Sequence, residues 1–269
     1  MRRIAAGLIV IMSVLLVSCK GKTGNTITVG SDKLDNTQSY FSESMHKAAR
    51  CDSGYYYLDK CGASADNLMF YDDKSEESIV LCNKPQCGHD GEECMAYISG
   101  SEFKSELYYY NSYIYMISSK GNLVRISADG TQRTDLGSIC VLSGQDSVSM
   151  CFNDGYAYVS QEITGDIEGN VTVRLHRFNL DTGLSDKIYE ETGYGIGINS
   201  LKTYGSDTFF LKTSVSKDDK GLYSLEGKGI FRITGENTEC LLDKNVYSYC
   251  IDADNNKLYY SGLGDGTIY

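Results

Sequence analysis

Tryptophan is absent from this 269-residue chain, proline occurs once, at Pro85, and histidine three times, at His46, His89 and His176. So few histidines leave little material for a Ser-His-Asp triad. No G-x-S-x-G elbow and no P-loop occurs in the sequence. The "GYGIG" stretch at 193–197 lacks the third glycine of a dinucleotide fingerprint. "DADNN" at 252–256 opens like a calcium loop, but Lys257 stands where that loop needs glycine. Basic residues are also outnumbered, 25 against 36 acidic ones, for a formal net charge of −11. Nucleic acid is therefore excluded as a partner class, because counterion release needs clustered cations.

Long apolar runs are missing except at the N-terminus. There, Arg2 and Arg3 precede an apolar run over residues 4–17, broken only by Ser13. The run is too short to span a bilayer comfortably and has the length of a signal-peptide core. It ends in Leu16-Val17-Ser18-Cys19, which resembles the bacterial lipobox. The resemblance implies cleavage before Cys19 and a lipid thioether on its sulfur. The expected location is the extracytoplasmic face of a bacterial cell membrane, with the lipid as the contact to the bilayer. Losing Arg2 and Arg3 with the leader would take the net charge from −11 to −13. Residues 20–47 are polar and predict a flexible tether, with a short helix as an option near residues 41–50.

What is abundant is tyrosine, with 22 residues, and glycine, with 28. That pairing predicts β-structure. Four segments recur: "NLMFYDDKS", "NLVRISADG", "LHRFNLDTG" and "IFRITGENT". Their alignment places Phe70, Arg125, Arg177 and Arg232 in one column, at spacings of 55, 52 and 55. Each reads as a strand running into a turn. Each follows another apolar strand, such as "DGYAYVS", whose Asp154-Gly155 is a hairpin turn signal. With one short strand upstream and a polar one downstream, the unit is four antiparallel strands in about fifty residues. The inner strands read as continuous apolar runs instead of alternating. That favours blades covered on both faces over a two-layer sandwich.

The expected fold is all-β: a β-propeller of four-stranded blades, about four and a half of them present, in an incomplete ring. The units fall at about 48–98, 103–140, 146–191, 197–246 and, partially, 247–269. The last unit stops one residue short of where the arginine column would recur, so a truncated chain is expected; a ring completed by another molecule is the alternative. The repeated arginines are expected to make salt bridges between blades.

Nine cysteines follow Cys19. Cys51, Cys151 and Cys250 occupy one repeat position and are expected to be small buried hydrophobes. With Ser53-Gly54 as the turn, Cys51 faces Tyr56. Cys61 then lies too far along for a disulfide. Cys140 and Cys240 fall at or near outer strands with no evident partner, and His176 lies in a strand, exposed. The remaining three sit in "CNKPQCGHDGEEC", in the connection between the first two units. Cys82, Cys87, His89 and Cys94 make a C-x4-C-x-H-x4-C array. Thiolate and imidazole suit zinc. Oxidation outside the membrane suits a Cys82–Cys94 or Cys87–Cys94 disulfide instead, and free thiols are the third option.

These features resemble TolB-like and related tyrosine-rich bacterial propellers over residues 48–269. The lipobox and the cysteine insert together are similar to surface lipoproteins of anaerobic gut Gram-positive bacteria. The resemblance implies fold and location and carries over no catalytic residue. The leading expectation is a membrane-anchored module that binds a glycan, peptide or protein. The alternatives are an extracytoplasmic hydrolase or lyase, or a metal or redox module built on the cysteine loop.

Overall fold

The computed structural model describes residues 48–100, 102–103, 106–144, 146–165, 169–204, 207–235, 237–252, 257–262 and 268–269. The leader, Cys19, the tether and most of the "DADNN" stretch lie outside them. The optional helix lies outside too, apart from residues 48–50, which are strand.

The described residues form antiparallel sheets in chain order. The first comprises β1 (Ala48–Cys51), β2 (Gly54–Lys60), β3 (Ala65–Asp72) and β4 (Glu77–Val80), with β5 (Tyr97–Ser99) also paired to β3. The second comprises β6 (Tyr108–Tyr110), β7 (Tyr113–Ile117), β8 (Asn122–Ser127) and β9 (Arg133–Ser138). The third comprises β10 (Ser147–Asn153), β11 (Tyr156–Thr164), β12 (Asn170–Asn179) and β13 (Ser185–Tyr194). The fourth comprises β14 (Gly197–Tyr204), β15 (Asp207–Lys217), β16 (Tyr223–Thr234) and β17 (Asn237–Leu242). A fifth holds β18 (Val246–Asp252) and β19 (Lys257–Gly262). Successive first strands touch, β1 to β6, β6 to β10 and β10 to β14. Each of the first four sheets is thus a blade with its first strand innermost, and the whole is an incomplete β-propeller.

The apolar runs follow from this stacking. Ile114, Met116 and Ile126 of the second blade pack on Tyr56, Leu68 and Phe70 of the first. The second blade's other face, Tyr115, Ile117 and Leu123, packs on Phe152, Val159 and Phe178 of the third. Leu175 and Val173 then meet Phe210 and Ile198 of the fourth, and Leu211 and Ile230 meet Val246 and Tyr249 of the fifth. Alternate residues of one strand thus serve two different interfaces.

Tyrosine suits those interfaces because its ring fills apolar space while its hydroxyl reaches a polar partner. Tyr56 donates to the Ala128 carbonyl of the next blade at 3.2 Å, and Tyr249 to Ser200 of the preceding one at 2.7 Å. The hydroxyls of Tyr108 and Tyr110 accept the N–H groups of Met150 and Gly155 at 3.1 and 3.3 Å.

The Asp154-Gly155 turn has φ of 47° and 77°, the left-handed pair of a type I′ hairpin. The first hairpin departs from expectation. Cys51 pairs with Gly54, not Tyr56, so the turn is Asp52-Ser53. Gly54 instead belongs to the sheet: a Cβ there would lie 1.8 Å from the Tyr71 carbonyl oxygen.

The arginine column lies on third strands as a register position, but its ion pairs stay within blades. Arg177 pairs with Asp186 at 3.4 Å, and Arg232 with Asp207 and Glu239. The reason is register. Asp186 and Glu239 are the direct cross-strand neighbours of Arg177 and Arg232. Arg125 lies over the Tyr113 ring, 4.6 Å from its centroid. Of the repeated cysteines, Cys51 and Cys151 are buried. Cys250 is exposed, on the side of β18 away from Tyr249, which no described sheet covers.

His176 is buried, contrary to its expected exposure. As a third strand, β12 is covered on both faces: Leu175 serves the fourth blade while His176 faces Gln161 at 3.3 Å. Gln161 in turn donates to the Val141 carbonyl at 2.8 Å and to Asp146 at 3.0 Å. Burial first, then the positive charges of Arg174 and Lys187, push the imidazole down to about 4. An unfolded histidine titrates near 6.5. Between these values the unfolded chain binds the extra proton, so stability is expected to fall as pH drops from about 6.5 to about 4. Urea midpoints of wild type and His176→Asn, measured from pH 7 to 4, should change their separation within that window. Parallel curves would remove His176 from the acid response.

Candidate functional site

The cysteine loop is placed by a single residue of β3. Leu81 donates its N–H to the Leu68 carbonyl at 2.8 Å, and the Leu68 N–H donates to the Ala96 carbonyl at 2.7 Å. β4 pairs with Met69–Asp72 and β5 with Ala65–Asn67. The two are therefore one outer strand, interrupted at Leu68 by residues 82–96. The loop sits inside the first blade's edge and not in the connection between units where the sequence placed it. The pairing of both halves to β3 explains this.

Nothing in the loop's composition builds a core of its own. Cys94 and Ala96 alone are buried among residues 82–96, and both join the interface between the first two blades. Cys82 and Cys87 pack against that same cluster. The second blade meets the loop where Asn83 donates to the Gly130 carbonyl at 3.3 Å. Arg133 donates to the Tyr97 carbonyl at 3.0 Å and pairs with Glu102. Lys84 spans the loop to the Glu93 carbonyl at 3.4 Å.

This path brings the four predicted residues together. The sulfurs of Cys82, Cys87 and Cys94 and a ring nitrogen of His89 all lie within 4.8 Å of one another. His89 Nδ1 is 3.3 Å from Cys94 Sγ. Convergence comes from turns and not from an extended Cys87–His89 segment. Gln86 and His89 have φ of 57° and 56°, and these two left-handed residues curl the chain. All nine described cysteines are free thiols. Burial pushes the Cys94 thiol up to about 12, with the neighbouring Cys82 and Cys87 adding to the rise. Burial acts on Cys82 in the same sense, but the N–H groups of Lys84 and Met95 and the other two thiols outweigh it and hold Cys82 low. Three sulfurs and an imidazole are a soft donor set, suited to zinc and unsuited to calcium or magnesium. Cys61, Cys140 and Cys240 stand apart from the cluster, Cys140 buried and the other two exposed.

A second feature carries no sequence motif. A cavity of about 400 Å³ is walled by the first strands of the second, third and fourth blades together with β11. Glu106 and Glu162 line it with Ser147, Ser149, Ser160 and Ser200. Ser149 and Ser160 share a 2.7 Å hydrogen bond across β10 and β11. Glu162 accepts from the Ile198 N–H at 3.2 Å and from Ser147 at 3.3 Å. Burial outweighs both and raises the Glu162 carboxyl above its ordinary value. The available signal was the alternation of Ser147 and Ser149 within an otherwise apolar inner strand.

No protein-family model matches the chain, and no curated protein does. Solved structures do. Oligogalacturonate lyase from Vibrio parahaemolyticus aligns at 8% identity and TM-score 0.54, over 83% of this chain and 60% of that one. An oligogalacturonate lyase in complex with manganese aligns at 11% and 0.47, over 72% and 52%. BamB from Moraxella catarrhalis aligns at 8% and 0.27, over 82% and 80%. The chain thus spans 60% or less of the two lyases' length. At such identities the likeness is one of fold alone, and that fold is the β-propeller.

Proposed function

We propose that this chain is a lipid-anchored, extracytoplasmic β-propeller that acts as a binding module. Its ligand lies in the cavity at the inner strands and is neutral or cationic, and rich in hydroxyl or amino groups. The observation that carries the reading is the cavity's lining: four serines and two carboxylates, with no Lys, Arg or His among the described residues that form it. Hydroxyl and carboxylate oxygens accept hydrogen bonds from sugar hydroxyls or ammonium groups. A polyanionic oligogalacturonate would meet Glu106 and Glu162 without a cation in that lining to pair it. The leader and Cys19 support the anchor and the location.

The test has two parts. Fatty-acid labelling in a bacterial host should mark the wild type and not Cys19→Ser. Calorimetric titration of the mature chain with neutral oligosaccharides, polyamines and oligouronates should give binding in one of the first two classes, weakened at least tenfold by Glu162→Gln. Binding of oligouronates alone would overturn the ligand assignment. One observation also favours a hydrolase or lyase: a carboxyl held protonated to higher pH can serve as a general acid. Turnover of the bound oligosaccharide, lost in Glu162→Gln, would select that reading.

A further inference from the structure

We propose that Cys82, Cys87, His89 and Cys94 hold one zinc ion in a closed, structural site that fastens the interrupted edge of the first blade against the second. Three independent features lead there. The first is geometry. Four ligands on a tetrahedral zinc, with bonds of about 2.3 Å to sulfur and 2.0–2.1 Å to nitrogen, stand about 3.5–3.8 Å apart. The four donor atoms already lie within 4.8 Å of one another, with His89 Nδ1 and Cys94 Sγ at 3.3 Å. Little movement closes them on an ion. A disulfide would use two sulfurs and leave the third cysteine and His89 converging on nothing.

The second feature is the surrounding backbone. N–H groups of Lys84 and Met95 are directed at the Cys82 sulfur, and that of Ala96 at Cys94. Such donors orient metal-bound thiolates and spread their charge. The third is the loop's need. Gln86 and His89 hold left-handed backbone, a conformation that persists in non-glycine residues only where the surroundings enforce it. Residues 83–93 contribute no buried side chain that would do so, whereas ligation through Cys87 and His89 would fix both turns. Four protein ligands leave no open coordination position, so the site is structural and not catalytic. Its placement gives its purpose. Both stems hang from Leu68, Cys94 belongs to the apolar interface of the first two blades, and Asn83 bonds the Gly130 turn of the second.

The experiment uses the mature chain purified without chelator or reductant. Elemental analysis should return about one zinc per chain, and His89→Ala and Cys87→Ser should each bind less than about a tenth of that. Cobalt exchanged into the wild type should show the intense visible bands of a tetrahedral thiolate site. Should either variant fail to fold, the wild type stripped by a chelator supplies the readout. A glutamate-specific protease should then cut at the exposed Glu92 and Glu93 at least tenfold faster, and added zinc should restore protection. A Cys82–Cys94 or Cys87–Cys94 disulfide in the native protein would overturn the proposal. So would metal-free wild type with three free loop thiols, zinc retained at full stoichiometry by both variants, or iron or copper in place of zinc.

Discussion

Phe210→Ala is expected to destabilise the protein by about 3–5 kcal/mol, the usual cost of emptying a fully buried aromatic site. Phe210 is 0% exposed and belongs to the interface of the third and fourth blades. Its ring stacks on Phe231 of its own blade with centroids 5.5 Å apart, and tilts against Tyr189 of the preceding blade at 5.4 Å. Removing it leaves a void bounded by two blades, and neither can collapse alone, because each is also packed on its far side. A domain stable by about 5–15 kcal/mol would lose roughly a fifth of its margin or more. Urea unfolding of the variant beside Leu184→Ala, whose side chain is exposed, would measure the difference. The surface variant is expected within about 0.5 kcal/mol of wild type. A loss under about 1 kcal/mol at Phe210 would contradict burial between two blades.

The same double coverage explains what was legible in the sequence. A strand buried on both faces cannot alternate, so continuous apolar runs such as "YIYMI" separate blades from a sandwich. Repetition located the third strands, because Phe70, Arg125, Arg177 and Arg232 each pair with a second-strand aromatic: Tyr56, Tyr115, Tyr158 and Phe209. The four residues of the cysteine loop were legible from their chemistry alone. Their setting was not. That β4 and β5 continue one another depends on pairing to β3, a non-local fact that spacing does not encode. The burial of His176 was illegible because strand periodicity assumes one wet face, whereas at His176 β12 is covered on both. The cavity was illegible for a related reason: Glu106, Ser147, Glu162 and Ser200 come from three blades and form no local pattern.

Gly54 shows the limit of reading glycine as a turn signal, and its substitution yields the second large effect. Alanine there is expected to cost about 3 kcal/mol or more. An ordinary turn glycine in left-handed backbone loses about 1–2 kcal/mol on substitution. Gly54 is not of that kind: it is absent from the residues of positive φ and is the first residue of β2, paired with Asp72. The penalty is steric. A Cβ would stand 1.8 Å from the Tyr71 carbonyl oxygen and 3.2 Å from the Phe70 ring. The oxygen belongs to the β3 backbone, whose neighbours Met69 and Phe70 also carry β4, so relief requires moving an inner strand pair of the first blade. The ring belongs to the interface with the second blade, so that movement would also open the apolar cluster containing Cys94. Gly54→Ala should therefore lower the urea midpoint far more than Ser53→Ala in the true turn, which is expected to be nearly neutral. Equal, small effects at the two positions would return Gly54 to the turn and displace the register of the first hairpin.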